Sequence, residues 1–401
     1  MGFKKLPIGV EDFIEANNYF YIDKTLIIRD ILNYHIGHSL LITRPRRFGK
    51  SLTVSMIESF FSNKLDCLSE FEDKKILEDE SFSSYLNKYP VIHLSMKNIS
   101  HNNKDLMLRS ATEQISSIFG EFKEAIDDVD LLAFEKTNYL KIANHEFKND
   151  LEYADSIFFL SKILYKKYRR KVIILIDEYD TPLENAYQNG FYDSVVDFFK
   201  RLYSSALKGN EYLLFSLTTG VLQISKESIF SELNNLNVFS VVDDGFMEYF
   251  GFTEEEVKFI LNKFDISVDY QKVQEWYGGY GGKKEIFNPW SILNYVQNEV
   301  FDYYWVNSGS NETISNLIRN TPNSITVLNQ FINNENLDVT IDTSISYKDV
   351  RYDIGVLFSL LVQGGYLVAK RIGMEKRYNV FIPNKEIKEV FSKEIIFVGI
   401  S

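Results

Sequence analysis

Four short apolar runs constrain this chain more than any other feature of it. "HSLLIT" (His38 to Thr43), "VIHLSM" (Val91 to Met96), "VIILID" (Val172 to Asp177) and "YLLFSLTT" (Tyr212 to Thr219) are apolar with little alternation. A strand with one wet face alternates polar and apolar side chains. A strand buried on both faces does not, and that pattern belongs to parallel sheets covered by helices. Helical stretches lie between the runs. "DLMLRSATEQISSIFGEF" sets Met107, Ala111, Ile115, Ile118 and Phe122 on one face at three-to-four spacing. "SIFFLSKILYKKYRRK" is basic in its last turn, where cations suit the helix dipole. Strands alternating with helices predict an α/β fold, a doubly wound and mainly parallel sheet.

At 401 residues the chain exceeds one small core, so two or three domains are expected. From "GFTEEEVKFILNKF" the pattern turns helical: Thr253 and Glu256 make a capping box, and Asn288 caps a second helix with Pro289 at its first position. Between them "WYGGYGGKK" reads as a glycine-rich turn. Further on, "VRYDIGVLFSLLVQGG" reads as a helix stopped by Gly364 and Gly365, and "YLVAKRIGMEKRYNVFIPN" as a hairpin turning near Gly373. The expected organisation is a core over 1–252, a helical lid over 253–310, and a C-terminal helix–hairpin unit of winged-helix-like shape over 311–401. Such a shape gives DNA binding weak support; packing is the simpler reading.

Charge and cysteine count narrow the class. Lys+Arg 44 against Asp+Glu 56 gives a formal charge of -12, which argues against bulk attraction to nucleic acid. Cys67 is the sole cysteine, so neither an intrachain disulfide nor zinc-finger spacing is available. The apolar runs are far shorter than a membrane span, and the start "MGFKKLPIGVEDF" has no signal-peptide core. A soluble cytoplasmic protein without membrane contact is expected.

The first apolar run leads into "RPRRFGKS", which ends as the phosphate-loop pattern G-x-x-x-x-G-K-[ST] ends, with Arg44 where the first glycine would stand. Phosphate is held there by backbone N–H groups at a helix N-terminus, by the lysine charge, and by a hydroxyl on Mg²⁺. Gly49, Lys50 and Ser51 supply those parts, and "SLTVSMIESFF" continues as a helix. The site would comprise Arg46, Arg47, Phe48, Gly49, Lys50, Ser51 and Leu52, with ATP and Mg²⁺ as ligands. "VIILIDEYD" adds Asp177 on the metal side with Ser51, and Glu178 as the base that polarises water. "TPLE" (Thr181 to Glu184) reads as a capping box after it. The intervening run "VIHLSM" fits the phosphate-loop division that includes AAA-type ATPases. In that division a polar residue ends the next strand, a place that Thr218 or Thr219 would fill, and Thr219 joins Glu178 and Lys50 as a catalytic candidate.

"PIGVEDFIEANNYFYIDKT", "RPRRFGKSL", "IDEYDTPL", "TGVLQISKESIFSELNNL", "GFTEEEV" and "WYGGYGG…FNPWSILNY" together resemble the bacterial AAA-ATPase-like family, from about Leu6 to Asn307. In that family Arg44 is the usual variant of the loop. Its guanidinium has two open readings, a phosphate contact and a structural ion pair. The resemblance implies an ATP-binding module, often joined to a nuclease domain. The nuclease's acidic-x-lysine motif finds only "EFK" at Glu121 and Glu146 and "EIK" at Glu386, none in a convincing strand, so a nuclease is not expected within these residues. Relatives often carry arginine where this chain has Gln223, which puts hydrolysis in question and leaves ATP or ADP binding intact; Lys226 and Arg201 are possible substitutes. Asp23 is expected to cap the helix from Lys24 onward; the resemblance implies that this stretch borders the adenine, and a capped helix packed on the sheet is the equally open reading. AAA relatives build rings, so a homo-oligomer or a partner protein is expected, with no trans arginine nameable here.

Overall fold

The structure, a computed structural model, describes residues 5–127, 129–147, 149–223, 230, 233–282, 284–308, 312–333, 336–343, 353–373 and 375–400. Its centre is a sheet of five strands: β1 Ser39–Thr43, β2 Val91–Ser95, β3 Val172–Asp177, β4 Leu213–Gly220 and β5 Leu236–Phe239. They lie in the order β2-β3-β4-β1-β5, and each pairing is parallel. The predicted doubly wound α/β fold is the observed one. β1, β3 and β4 are buried along their whole length, as non-alternating apolar runs require. β5 was not legible as a strand; it is a short edge strand, half-buried throughout.

Successive residues of β3 enter opposite layers. Val172, Ile174 and Ile176 pack with the helices Lys104–Glu121, Ser156–Tyr168 and Tyr192–Leu207. Ile173 and Leu175 pack with the helices Leu26–Tyr34 and Lys50–Phe61. Each of these fully buried side chains contributes roughly 1.5–3 kcal/mol relative to exposure. The sheet is thereby fixed as the middle of three layers, with the C-terminal ends of its strands together at one rim.

Strands β6 Phe252–Thr253 and β7 Ile286–Phe287 pair antiparallel at the start of the helical region expected from residue 253. Its predicted caps are present. Thr253 Oγ1 accepts from Glu256 N at 3.3 Å while Glu256 Oε2 accepts from Thr253 N at 2.8 Å, and Asn288 Oδ1 accepts from Ser291 N at 3.2 Å. The glycine-rich stretch is a packing contact as well as a turn: a β-carbon on Gly279, at φ +91°, would come within 2.2 Å of the Pro383 carbonyl oxygen.

The helix Ile354–Gln363 is followed by the hairpin β9 Val368–Arg371 and β10 Arg377–Phe381, as read, with Gly373 at φ +69°. An unpredicted third strand, β8 Leu337–Thr340, pairs with β10. The helix carries no basic residue and is largely buried. The core of this unit reaches back to Phe48 in the loop after β1.

Two expected caps differ. The helix Leu26–Tyr34 is preceded by Thr25 at the cap position, not by Asp23. The Asp23 carboxylate turns back to accept from Thr25 N at 2.8 Å and from Lys75 N at 2.8 Å. The helix Thr181–Gln188 has Asp180 at its cap with no side-chain bond, so Thr181 and Glu184 form no capping box. Asp180 is committed elsewhere, to the N–H groups of Val221 and Leu222.

Candidate functional site

Between β1 and the helix Lys50–Phe61 the chain makes a tight loop, Arg44 to Gly49. Arg47 and Gly49 take left-handed backbone, at φ +66° and +80°. Nothing lies within 4 Å of where a β-carbon on Gly49 would sit, so the glycine serves its backbone angle and leaves open space. The helix starts at Lys50, and its first N–H groups have no intrahelical acceptor.

Lys50 is 7% exposed, and its Nζ donates to the carbonyls of Arg44 and Pro45 at 3.1 and 2.9 Å. Burial pulls its proton affinity down, and the charges of Asp177, Asp180 and Glu178 oppose that shift. A buried cation bonded only to neutral carbonyls of its own loop is suited to an incoming anion. The loop therefore fits a phosphate group.

Arg46, Arg47, Phe48, Gly49, Lys50, Ser51 and Leu52 all border one cavity of about 990 Å³. Glu178 borders it from the end of β3. Glu178 holds left-handed backbone at φ +54°, an uncommon conformation of the kind that clusters at functional sites. Burial first, and then the Asp177 carboxylate, raise its proton affinity, the direction that makes a carboxylate a better base.

Asp177 and Thr219 stand behind this wall and do not border the cavity. The register of β3 against β4 sets Ile176 beside Thr218, which brings the next residues together. Thr219 Oγ1, fully buried, donates to Asp177 Oδ1 at 2.5 Å, and Thr218 Oγ1 is buried without a partner. Thr219, expected as a catalytic candidate, thus bonds to the acid in this arrangement and does not itself reach the cavity. A serine hydroxyl and a carboxylate are oxygen donors of the kind a divalent cation takes, but only Ser51 borders the cavity, while Asp177 is set back with its Oδ1 bonded to Thr219. Among the described residues no three His, Cys, Asp or Glu side chains form a metal cage, so phosphate and water would complete the cation's shell.

Neither open reading of Arg44 holds. The guanidinium is 2% exposed and donates to four carbonyls: Thr43, Phe239 and Ser240 from Nη1 at 2.8 to 2.9 Å, and Gly245 from Nη2 at 2.7 Å. Burial pushes its pKa down to about 10, so it stays charged at neutral pH. Arg44 is a clamp between the loop and the segment after β5, because its side chain reaches carbonyls the sheet leaves unpaired. Arg201 pairs with Asp155 on the surface and is no substitute for a phosphate-facing arginine. Lys226 lies outside the described residues.

Sequence reasoning passed over several residues. Asp180 borders the cavity, and its carboxylate accepts from Val221 and Leu222 N–H at 2.9 and 2.8 Å, tying the turn after β3 to the end of β4. The D-E-Y-D spacing was the signal for it. Trp290, Trp305 and Tyr366 reach the loop from the far half of the chain, with no local signal at all. Trp305 Nε1 donates to the Arg46 carbonyl at 2.9 Å. At the apolar end Ile8, Phe20, Ile22, Phe252 and Leu293 border the cavity, while Asp23 does not.

A parallel sheet in this order, with a Gly-Lys-Ser loop after β1 and an acidic pair ending β3, defines a phosphate-loop NTPase with an added strand between the two motif strands. The family described as predicted AAA-ATPase matches residues 7–230, and the chain belongs to it. That places it among nucleotide-binding ATPases. A protein of Azotobacter chroococcum mcd 1, described as an uncharacterized protein in the vnfD 5' region, is 27% identical over 404 residues, covering 99% of this chain and 70% of that one. The Aeropyrum pernix ORC2 protein, solved in ADPNP and ADP complexes, is 10% identical at a TM-score of 0.38, covering 100% of each chain. C. elegans PCH-2 is 11% identical at a TM-score of 0.26, covering 90% of this chain and 72% of that one. The assignment rests on sheet order and family match, not on these two. Among the described residues no helix is long and apolar enough to cross a membrane.

Proposed function

We propose that the chain binds ATP with Mg²⁺ in the cavity beside Lys50, hydrolyses it, and passes the nucleotide state to the lid and the C-terminal unit. The observation that carries this reading is the buried Lys50 ammonium, bonded only to its loop's carbonyls, with Glu178 bordering the same cavity. Lys50 and the helix N-terminus bind phosphate, and Ser51 holds the cation, with Asp177 completing its shell through water. Thr219 fixes Asp177, and Glu178 takes the proton from water. Mg²⁺ would supply charge neutralisation on the phosphate oxygens. The apolar end of the cavity takes the base. The division at 252 and 310 is part of this proposal, as is assembly with copies of itself or a partner protein.

Thermal unfolding with and without Mg²⁺-ATP tests it. Ligand at about a hundred times its dissociation constant stabilises by roughly 2.7 kcal/mol. The parent should show a shift that Lys50→Ala abolishes. A parent that does not respond sinks the reading.

A switch that binds ATP and turns it over slowly is the second reading, and Gln223 favours it. Its backbone N–H donates at 2.6 Å to Oε1 of Gln363, a fully buried residue at the end of a C-terminal-unit helix. The segment after β4 is thus tied to that unit, and no cation stands at this position.

A further inference from the structure

The cavity is bordered by two arginines of the phosphate loop, and their surroundings differ. Arg46 is built into the contact with the C-terminal half. Its guanidinium lies 4.8 Å from the centre of the Trp305 ring, and its Nη2 is 3.4 Å from the Tyr366 hydroxyl. Trp305 is fully buried and bonds back to the Arg46 carbonyl, so Arg46 is tied to the C-terminal half through both its backbone and its side chain.

Arg47 is held far less firmly. Its guanidinium lies 4.3 Å from the centre of the Trp290 ring, and its polar contact is a long 3.4 Å bond to the Ser308 carbonyl. Both partners are neutral, and no described carboxylate pairs with it. A cation–π contact is worth about 0.5–2 kcal/mol depending on its desolvation. A guanidinium–phosphate pair is charge-assisted and takes two parallel hydrogen bonds. Exchange of the ring for a phosphate is therefore downhill. Glu178 and Asp180 border the same cavity and repel phosphate, so a cation beyond Lys50 that is free to pair with the terminal phosphate strengthens binding. The end of β4 contributes none, since Gln223 is neutral. The left-handed backbone of Arg47 is an unfavourable choice for a residue with a β-carbon, retained at the cavity edge.

We infer that Arg47 contacts the terminal phosphate of a bound nucleoside triphosphate, supplying in cis the positive charge that developing phosphoryl charge requires, and that Trp290 holds the guanidinium until that phosphate arrives. The inference rests on the nucleotide reading of the cavity and adds to it a basis for telling triphosphate from diphosphate. The lid indole is then displaced or uncovered by one ligand and not by the other.

Calorimetric binding of Mg²⁺-ADP and of a non-hydrolysable ATP analogue with Mg²⁺ to the full chain tests this in the parent, Arg47→Gly and Arg47→Lys. Glycine accepts φ +66° without strain, so Arg47→Gly removes the guanidinium and keeps the loop. The expected result is a loss of about tenfold or more in triphosphate affinity with ADP held within about twofold. Arg47→Lys should fall between, because a point charge cannot pair in two places. Tryptophan emission should change on binding the triphosphate analogue, and Trp290→Phe should remove that change. Equal weakening of both nucleotides in Arg47→Gly, or none, overturns the inference while leaving the nucleotide site standing. A parent that binds neither nucleotide overturns the site and the inference together.

Discussion

Arg44 Nη2 donates to the carbonyl of Gly245 at 2.7 Å, across 201 positions of chain. Three more carbonyls share the same guanidinium, so the residue that replaces a phosphate-loop glycine is the fastening of that loop to the segment after β5. Arg44→Gly restores the general pattern and removes the donor these buried carbonyls share, of which the Ser240 carbonyl keeps a backbone partner, Asp243 N at 3.1 Å. We expect it to destabilise the fold by roughly 3 kcal/mol or more, read as a lowered urea midpoint at unchanged slope. An unchanged midpoint would mean that water replaces the clamp at no cost.

Glu178 separates hydrolysis from switching. The Gln variant keeps the size and removes the base, so turnover should fall by about 10²–10⁴-fold while ATP binding persists. Steady-state phosphate release together with a binding isotherm checks both halves. If turnover in the parent is already slow and the variant matches it, the switch reading stands in place of the hydrolase.

Thr219→Val keeps the shape of a β-branched residue in β4 and deletes the hydroxyl that Asp177 accepts from. The carboxylate then loses its donor in a buried place, at about 1–3 kcal/mol in stability. Because Asp177 is the metal-side acid in our reading, the concentration of Mg²⁺ needed for half-maximal ATP binding should rise. Metal-free nucleotide binding should stay as in the parent. A Mg²⁺ titration identical to the parent's would separate Thr219 from the metal site.

Glu386 is fully buried on the helix Lys385–Ile400 and accepts from Ser291 Oγ at 2.8 Å and Trp305 N at 2.6 Å. Burial pushes its pKa up to about 7, so the folded chain holds a proton that an unfolded glutamate releases near pH 4.3. Stability from this group is therefore present below pH 4.3 and is lost as pH rises toward 7. Glu386→Gln mimics the neutral form. Its melting temperature relative to the parent should climb between pH 5 and pH 8, by up to roughly 3 kcal/mol in stability. A difference constant with pH would show that Glu386 is ionised in the fold.

The elements that form from contiguous residues were legible. β3 is named by its own apolar run, Thr253 and Asn288 by the caps they make, and Gly49, Lys50 and Ser51 by one turn of chain. Local chemistry suffices there, because each acceptor sits within a few residues of its donor. β5 and β8 escaped notice because a short edge strand buries too little to leave a pattern. The caps assigned to Asp23 and Thr181 failed for a related reason. Their local geometry was permissive, and distant partners, Lys75 for one and Val221 and Leu222 acting on Asp180 for the other, outbid it.

By itself the sequence determined the parallel α/β class and the phosphate loop. Both follow from side-chain periodicity and from backbone conformation over a few bonds. Only the tertiary structure decided what surrounds that loop. Insertion of β4 between β3 and β1 sets Thr219 on Asp177; the end of β5 and the bend after it bring three carbonyls to Arg44; the helix Pro289–Asn298 lays Trp290 beside Arg47. Those contacts join residues tens to hundreds of positions apart. What selects them is the burial of two helical layers against one sheet, and no local preference encodes it.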